Sequence, residues 1–488
     1  MLHRLKELLF QNRSTRQTIT KNVFWLSVSQ VGSRLIRAVI IIYAARILGA
    51  AEYGVFSYAL GLAGFFTIFA DIGISQILTR EIVQKPEEKK SYFSTAFWIK
   101  IFLLAITALI VIGVAPYFSK IEAAKILMPF IAIIVIFDGL REFSLALFRA
   151  REKMELEALV NIVTNIAITF FGFVVLQMAA GSKSLTLSYA FSVAMGFTVA
   201  LVIARKQFAN IFTHFQKSLI KPILNSAYPI ALLGFLGVFM LNTDIIMLGW
   251  WRSAEEIGYY SAGQKIIQLL YTLPAILATS TFPVLSRFVS NKENDKIKAL
   301  MEKAMSVAFF IAVPVFVGGV VLAKPLIGFV YGQEYLPATS AFQILLFTPF
   351  FIFPQIFLGN FILAHNEQRR LKLPVALGSV GNIAFNALMI PAYGIVGSAI
   401  ATNIAQFLNV GLTWRVAKKI NYFSTLRYLK KIIASAIIMG IFSLILNKIG
   451  ANVIINMVLS AGIYFGALYL LREKILEEII VLLKGIKK

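Results

Sequence analysis

The stretch Thr20–Gly49 reads TKNVFWLSVSQVGSRLIRAVIIIYAARILG. It is apolar for most of its length, yet it carries Ser27, Gln30, Arg34 and Arg37 in its middle. Those four fall at i, i+3, i+7 and i+10, so on a helix they form one polar stripe. The other faces are Val, Ile, Leu, Phe and Ala. A run of this length and hydropathy predicts a membrane-spanning helix. Each arginine near its midpoint costs about 2.5–3.5 kcal/mol on the insertion scale. Such residues normally face a water-filled cavity or a partner inside a helix bundle. The stripe therefore predicts a cavity wall that meets an anionic group.

Working outward, the composition agrees with that reading. The chain is 59% hydrophobic and 14% charged, with a mean hydropathy of +0.79. These values exclude a soluble enzyme and leave an all-α, multi-span membrane protein. There is no cysteine, which removes disulfides, thiol catalysis and cysteine metal sites. A net charge of +24 raises nucleic acid as a partner, but the basic residues sit between apolar runs, the pattern of membrane topology. The first apolar run is too long for a signal-peptide core, so no cleavable leader is expected.

About fourteen spans of some 20 residues are predicted. They lie near 22–46, 55–79, 93–115, 126–148, 157–180, 185–204, 226–250, 258–286, 304–323, 338–364, 373–391, 395–414, 430–447 and 452–471. With the N-terminus in the cytoplasm, the cytoplasmic segments collect about 35 of the 47 Lys and Arg. A missed or invented span would spoil that alternation, so both termini are expected inside. Trp25, Trp98 and Trp414 fall near cytoplasmic ends, and Trp250 and Trp251 at an outer end, as an aromatic belt requires. In Arg205–Lys221, the residues Phe208, Ile211, Phe212, Phe215 and Leu219 share one face, which predicts an amphipathic surface helix. The tail Arg472–Lys488 has a similar mix. The expected division is residues 1–204 as a first six-helix lobe and 205–225 as an amphipathic cytoplasmic linker. Residues 226–417 make a second lobe, 418–471 two extra helices, and 472–488 a cytoplasmic tail.

The two lobes carry a repeat. Ile47-Leu48-Gly49 precedes Glu52-Tyr53-Gly54-Val55-Phe56-Ser57-Tyr58-Ala59, and Met247-Leu248-Gly249 precedes Glu256-Ile257-Gly258-Tyr259-Tyr260-Ser261-Ala262. Gly49 and Gly249 are offset by 200 positions, Gly54 and Gly258 by 204. Asn165-Ile166-Ala167 and Asn382-Ile383-Ala384 are a weaker echo. Six spans per repeat means parallel repeats about an axis along the membrane normal. Pro229, Pro274, Pro283, Pro314, Pro349 and Pro354 lie within spans, where they kink helices or simply reflect the tolerance of membrane helices for proline.

Other ionisable residues lie inside spans. Lys265 and Asp244 sit in the outer parts of spans eight and seven, where they pair with each other or Lys265 contacts substrate. Asp138, Arg141 and Glu142 cluster in span four, with Asp138 and Arg141 at ion-pair spacing. A carboxylate left over there, or Asp71 in span two, is a candidate for proton coupling. Lys100, near the inner end of span three, is placed to snorkel. Asn382, Asn386, Asn403, Gln406 and Asn409 suit interhelical hydrogen bonds. No P-loop, nucleophile elbow or zinc motif is present, and His3, His214 and His365 lack metal spacing. No catalysis, cofactor or metal is expected.

At these residues a resemblance appears. Tyr43-Ala44-Ala45-Arg46-Ile47-Leu48-Gly49 through Glu52-Tyr53-Gly54, Asp71-Ile72-Gly73-Ile74 and Thr79-Arg80-Glu81 resemble the opening of the polysaccharide flippases. Thr243-Asp244-Ile245-Ile246-Met247-Leu248-Gly249 through Gly258-Tyr259-Tyr260-Ser261-Ala262 resembles their second-half motif. These proteins belong to the multidrug/oligosaccharidyl-lipid/polysaccharide exporter superfamily. The resemblance covers essentially the whole chain, and its motifs mark the family without encoding a substrate.

The resemblance implies a two-lobed bundle around a central cavity, alternating access, and a polyprenyl-diphosphate-linked oligosaccharide as substrate. By analogy with flippases of the peptidoglycan precursor, spans thirteen and fourteen would form a groove for the lipid tail. Membrane lipids and polysaccharide polymerases or glycosyltransferases are the implied partners, at the cytoplasmic membrane, with no nucleic acid. Multidrug exporters of the superfamily usually have twelve spans and acidic cation sites, against fourteen spans and arginines in span one here. An organic-cation antiporter, and a non-transporting scaffold for glycan assembly, remain the rival expectations.

Overall fold

A computed structural model describes residue 10, residues 15–209, 211–424 and 429–473, and residue 476. Among them every regular element is a helix. In the first part these are α1 (Thr15–Asp71), α2 (Ile74–Gln84), α3 (Lys89–Gly113), α4 (Met128–Ala150), α5 (Met154–Met178), α6 (Ser182–Ile203) and α7 (Ile220–Trp251). They continue as α8 (Ala254–Leu270), α9 (Thr272–Ser290), α10 (Asn294–Tyr331), α11 (Thr348–Ala364), α12 (Lys372–Ile420), α13 (Leu429–Lys448) and α14 (Val453–Leu470).

Run straight, the 57 residues of α1 would reach about 85 Å, nearly three times the hydrocarbon thickness of a bilayer. The helix is broken once, at Gly49, whose φ of 71° is left-handed and favours a residue without a Cβ. Gly394, at φ 56°, breaks the 49-residue α12 in the same way. Where the hydropathy pattern implies loops between spans one and two and between spans eleven and twelve, a kink at a single glycine separates the two helices. Among the described residues nine helices are long and apolar enough to cross a membrane, or eleven if each bent pair is one span. The expectation of fourteen is a finer count. It also divides α1 and α12 at their glycines and includes α4, which carries Asp138, Arg141, Glu142 and Arg149.

This is a multi-pass membrane protein. Large apolar side chains project outward, among them Leu109 at 71%, Leu388 at 72% and Val458 at 66% exposure. Lipid solvates such a surface; water does not. Because lipid is as apolar as leucine, the helices associate through close packing and buried polar contacts. Asn456 of α14 accepts from Ser443 of α13 and from Ser460, both at 2.9 Å, and Tyr464 donates to the Phe310 carbonyl of α10 at 2.8 Å. Asn386 of α12 accepts from Ser398 at 2.9 Å, and Asn403 donates to the Ile344 carbonyl at 2.9 Å, as interhelical bonding requires.

The chain divides into two compact units, Met1–Ser261 and Ala262–Lys488. In the first, α1 packs along α5, α4 and α5 both flank α6, and α7 packs on α1. In the second, α10 packs with α11 and α13, and α13 with α14. The repeat glycines have a specific task in the first unit. A Cβ on Gly54 would stand 1.7 Å from the Ala254 carbonyl oxygen, and one on Gly258 would stand 2.0 Å from that of Ala50. The two helix starts cross backbone to backbone, each through the glycine of its own copy of the motif.

Two expectations are corrected. The segment after α6 is not a surface helix: it makes one turn, Arg205–Phe208, a loop, and a second turn, Lys217–Leu219. Its apolar residues bury Ile211 and Leu219 against α3 and α4, and Gln216 and Thr95 exchange hydrogen bonds, so tertiary packing replaces the amphipathic helix. Lys100 does not snorkel but is fully buried, held by Asp71 at 2.5 Å. Pro349 opens α11 directly after a break at which Gln333–Leu345 and Thr348–Ala364 are bent by 47°, whereas Pro229, Pro283, Pro314 and Pro354 lie inside helices. Most of the expected amphipathic tail, residues 474, 475 and 477–488, and His3 lie outside the described residues.

Candidate functional site

The stripe on α1 folds as one helical face. Ser27 is half-buried, while Gln30, Arg34 and Arg37 are exposed. Arg37 is not left to choose its direction: its Nε donates to Asn165 Oδ1 of α5 at 2.9 Å. Asn165 in turn donates to the Asn161 carbonyl one turn earlier, at 2.7 Å, which orients the amide oxygen toward the guanidinium. Thr169 of α5 adds a bond to the Ile36 carbonyl at 3.2 Å. The partner of Arg37 is a neutral amide, so the contact fixes the side chain without cancelling its charge.

From Asn161 the polar seam continues into α4. Asn161 donates to Ser29 of α1 at 3.1 Å and accepts from Arg141. Arg141 pairs with Asp138 at 2.6 Å, the i,i+3 pair that the spacing implies. Glu142, the carboxylate left over, meets Arg149 at 3.2 Å, and Arg149 also clasps Glu157 of α5 with two bonds of 2.9 and 2.6 Å. At the end of the seam, Lys21 of α1 pairs with Glu155 at 2.9 Å. Every carboxylate in the seam thus faces a cation, and α1, α4 and α5 are locked together. Charges buried in such a setting are tolerated only when paired and hydrogen-bonded.

Asp71 stands apart from this seam. It accepts from Lys100 at 2.5 Å and from Ser75 at 2.6 Å, so it is part of an ion pair. Asp244, 1% exposed, accepts from Tyr260 at 2.7 Å. Lys265 belongs to the second unit and donates to Gln268 at 3.4 Å. The structure therefore gathers Arg37, Asp138, Arg141 and Glu142 on one seam. Asn161, Lys21, Arg149, Glu155 and Glu157 complete it and were not singled out by sequence reasoning. Two asparagines four residues apart in the apolar run of α5 were the available signal; the pairings of Lys21 with Glu155 and of Arg149 with Glu142 and Glu157 had none, since they depend on helix rotation.

The profile of the polysaccharide biosynthesis protein family matches residues 19–289, more than half of the chain. The chain belongs to the polysaccharide biosynthesis protein family. The MatE profile matches residues 229–389. Among curated family relatives, the probable low-salt glycan biosynthesis flippase Agl15 of Haloferax volcanii is 22% identical over 93% of this chain and 94% of its own. The putative O-antigen transporter of Shigella flexneri is 22% identical over 80% of this chain and 96% of its own. The solved structure of the lipid II flippase MurJ in an inward closed conformation superposes with a TM-score of 0.78 at 18% identity. It covers 92% of this chain and 99% of that one, so the family fold is that of this transporter class.

Proposed function

We propose that the protein is a flippase that moves a polyprenyl-(di)phosphate-linked oligosaccharide across the cell membrane by alternating access, for surface polysaccharide or glycan biosynthesis. The observation that carries this reading is Arg37, a guanidinium held by the amide of Asn165 on the same helical face as exposed Arg34. A guanidinium stays charged and offers a fork of donors that fits two oxygens of a phosphate. Ser27 and Gln30, along the stripe, supply neutral contacts. In the seam the acids are already paired, which leaves α1 as the anion-accepting surface. The family membership and the relatives named as a flippase and an O-antigen transporter support the same substrate class. They favour it over an organic-cation antiporter, whose cargo would need unpaired acids. We assign no catalytic step: the residues described bind and position.

The reading includes fourteen spans with both termini in the cytoplasm, as the Lys/Arg distribution supports, and lobes at 1–204 and 226–417. Asp71 and the α4 carboxylates serve as ion-pair partners, with coupling to a proton assigned to none of them. Reconstituted full-length protein with a labelled polyprenyl-diphosphate sugar tests the proposal, beside Arg34→Ala/Arg37→Ala. Translocation by wild type that is lost in the double variant is the expected result. Translocation unaffected by the variant would remove α1 from the site, and movement of organic cations with no lipid-linked sugar moved would overturn the function.

A further inference from the structure

A cavity of about 250 Å³ opens in the first unit, lined by none of the side chains of the α1 seam. Four separate segments build it, with Ile82 contributed by α2. Lys89 and Lys90 come from the first turn of α3, Arg151 from the turn after α4, and Lys206 and Gln207 from the short helical turn after α6. Phe93 and Leu147, 5% and 3% exposed, form an apolar floor. Four cations therefore converge on one cavity that no carboxylate lines.

This is more than the basic character of loops on one side of a membrane. Several cations in such segments are neutralised, Arg80 and Lys85 by Glu81, Arg149 by Glu157, Lys296 by Glu293 and Arg370 by Glu367, whereas here four meet at one cavity with no carboxylate in its lining. Lys89, Lys90 and Lys206 take part in no ion pair among the described residues. Lys89 and Lys90 also occupy the first turn of a 25-residue helix, directly after its N-cap Glu88, where the helix dipole disfavours cations. With the Gln207 amide assigned so that its oxygen faces the guanidinium, that oxygen accepts from Arg151 Nη2 at 2.7 Å and Nη1 at 2.9 Å. That leaves the charge of Arg151 uncancelled as well.

The surroundings indicate where the anion comes from. Phe93 stacks edge-on with Phe208 at 5.2 Å, Phe208 with Phe97, Phe97 with Trp98, and Trp98 with Phe212 at 5.4 Å. Phe212 is 79% exposed. A belt of Trp and exposed Phe beside a basic rim is the signature of the lipid headgroup level. We propose that this cavity binds the phosphate-bearing headgroup of an anionic phospholipid of the leaflet it faces, with the acyl chains lying along the Trp98–Phe212 aromatic surface. The site is separate from the α1 face and does not depend on the transport reading.

The test is native mass spectrometry of the detergent-solubilised full chain titrated with phosphatidylglycerol, phosphatidylcholine or glycerol 3-phosphate. Wild type is compared with Lys89→Gln/Lys90→Gln/Lys206→Gln and with Lys292→Gln/Lys298→Gln as a surface control. Each basic residue near an anionic surface is worth about fivefold in affinity, so the triple variant is expected to lose on the order of a hundredfold for phosphatidylglycerol. The control variant is expected to match wild type. The proposal is overturned by equal retention of phosphatidylcholine, by a triple variant that binds as wild type does, or by equal loss in the control. Glycerol 3-phosphate binding as tightly as the lipid would reassign the cavity to a soluble anion and overturn the lipid source. Should the triple variant not be recovered folded, Lys206→Gln alone, exposed on its short turn, is read by the same criteria.

Discussion

Replacing Gly54 by alanine probes the backbone crossing most directly. The added Cβ would lie 1.7 Å from the Ala254 carbonyl oxygen, 2.7 Å from its carbon and 2.8 Å from the Gly258 nitrogen. A carbon needs about 3.3 Å from such an oxygen, so the two helix starts must part by about 1.5 Å. All three obstacles are backbone atoms, so no rotamer change relieves them. Overpacking of this kind costs about 1–3 kcal/mol, and the rigid partners place this site at the upper end. If only one of two transport states contains the crossing, about 2–3 kcal/mol depletes that state by roughly 30- to 150-fold relative to the other. The natural chain has no cysteine, so a single reporter needs no cleared background. Ser57→Cys, nearly isosteric and 5% exposed in the parent, lies one turn from Gly54. Its labelling by a membrane-impermeant maleimide is expected to rise at least tenfold in Gly54→Ala, on the order set by that population shift, with flipping reduced. Gly462→Ala is the control, because nothing lies within 4 Å of its Cβ position. Equal labelling and equal flipping in Gly54→Ala and wild type would refute the reasoning.

Two further outcomes follow from the ion pairs and amides. Asn165→Leu removes the acceptor that positions Arg37; flipping is expected to fall by about tenfold, the scale of one lost positioning contact, while the melting temperature drops little, since such membrane hydrogen bonds average about 0.6 kcal/mol. A large stability loss with normal flipping by the surviving protein would show that the contact is structural. For Lys100, fully buried against Asp71, stranding one partner costs about 3 kcal/mol or more. Asp71→Leu alone should therefore lower the melting temperature sharply, and Asp71→Leu/Lys100→Met should recover most of it. A double variant no more stable than the single one would count against the pair.

How far the sequence reaches can be judged element by element. Hydropathy and helical periodicity are local properties, and bilayer thickness sets the length of a span, so the all-helical membrane fold was legible in the chain. So was the polar stripe Ser27–Gln30–Arg34–Arg37, because 3.6 residues per turn places those positions together whatever surrounds them. The i,i+3 pair of Asp138 and Arg141 was legible for the same reason. The repeat glycines were visible as a pattern, but not as Gly54 and Gly258 crossing on each other's neighbouring carbonyls. Contacts between segments distant in sequence depend on which helices adjoin and how each is rotated. Tertiary structure alone decided that Asn165 holds Arg37, that Arg149 bridges Glu142 and Glu157, and that Lys100 turns inward to Asp71. It also turned the expected surface helix after α6 into a packed loop. That loop brings Lys206 beside Lys89, Lys90 and Arg151, and no local period in the sequence encodes such a meeting of three segments.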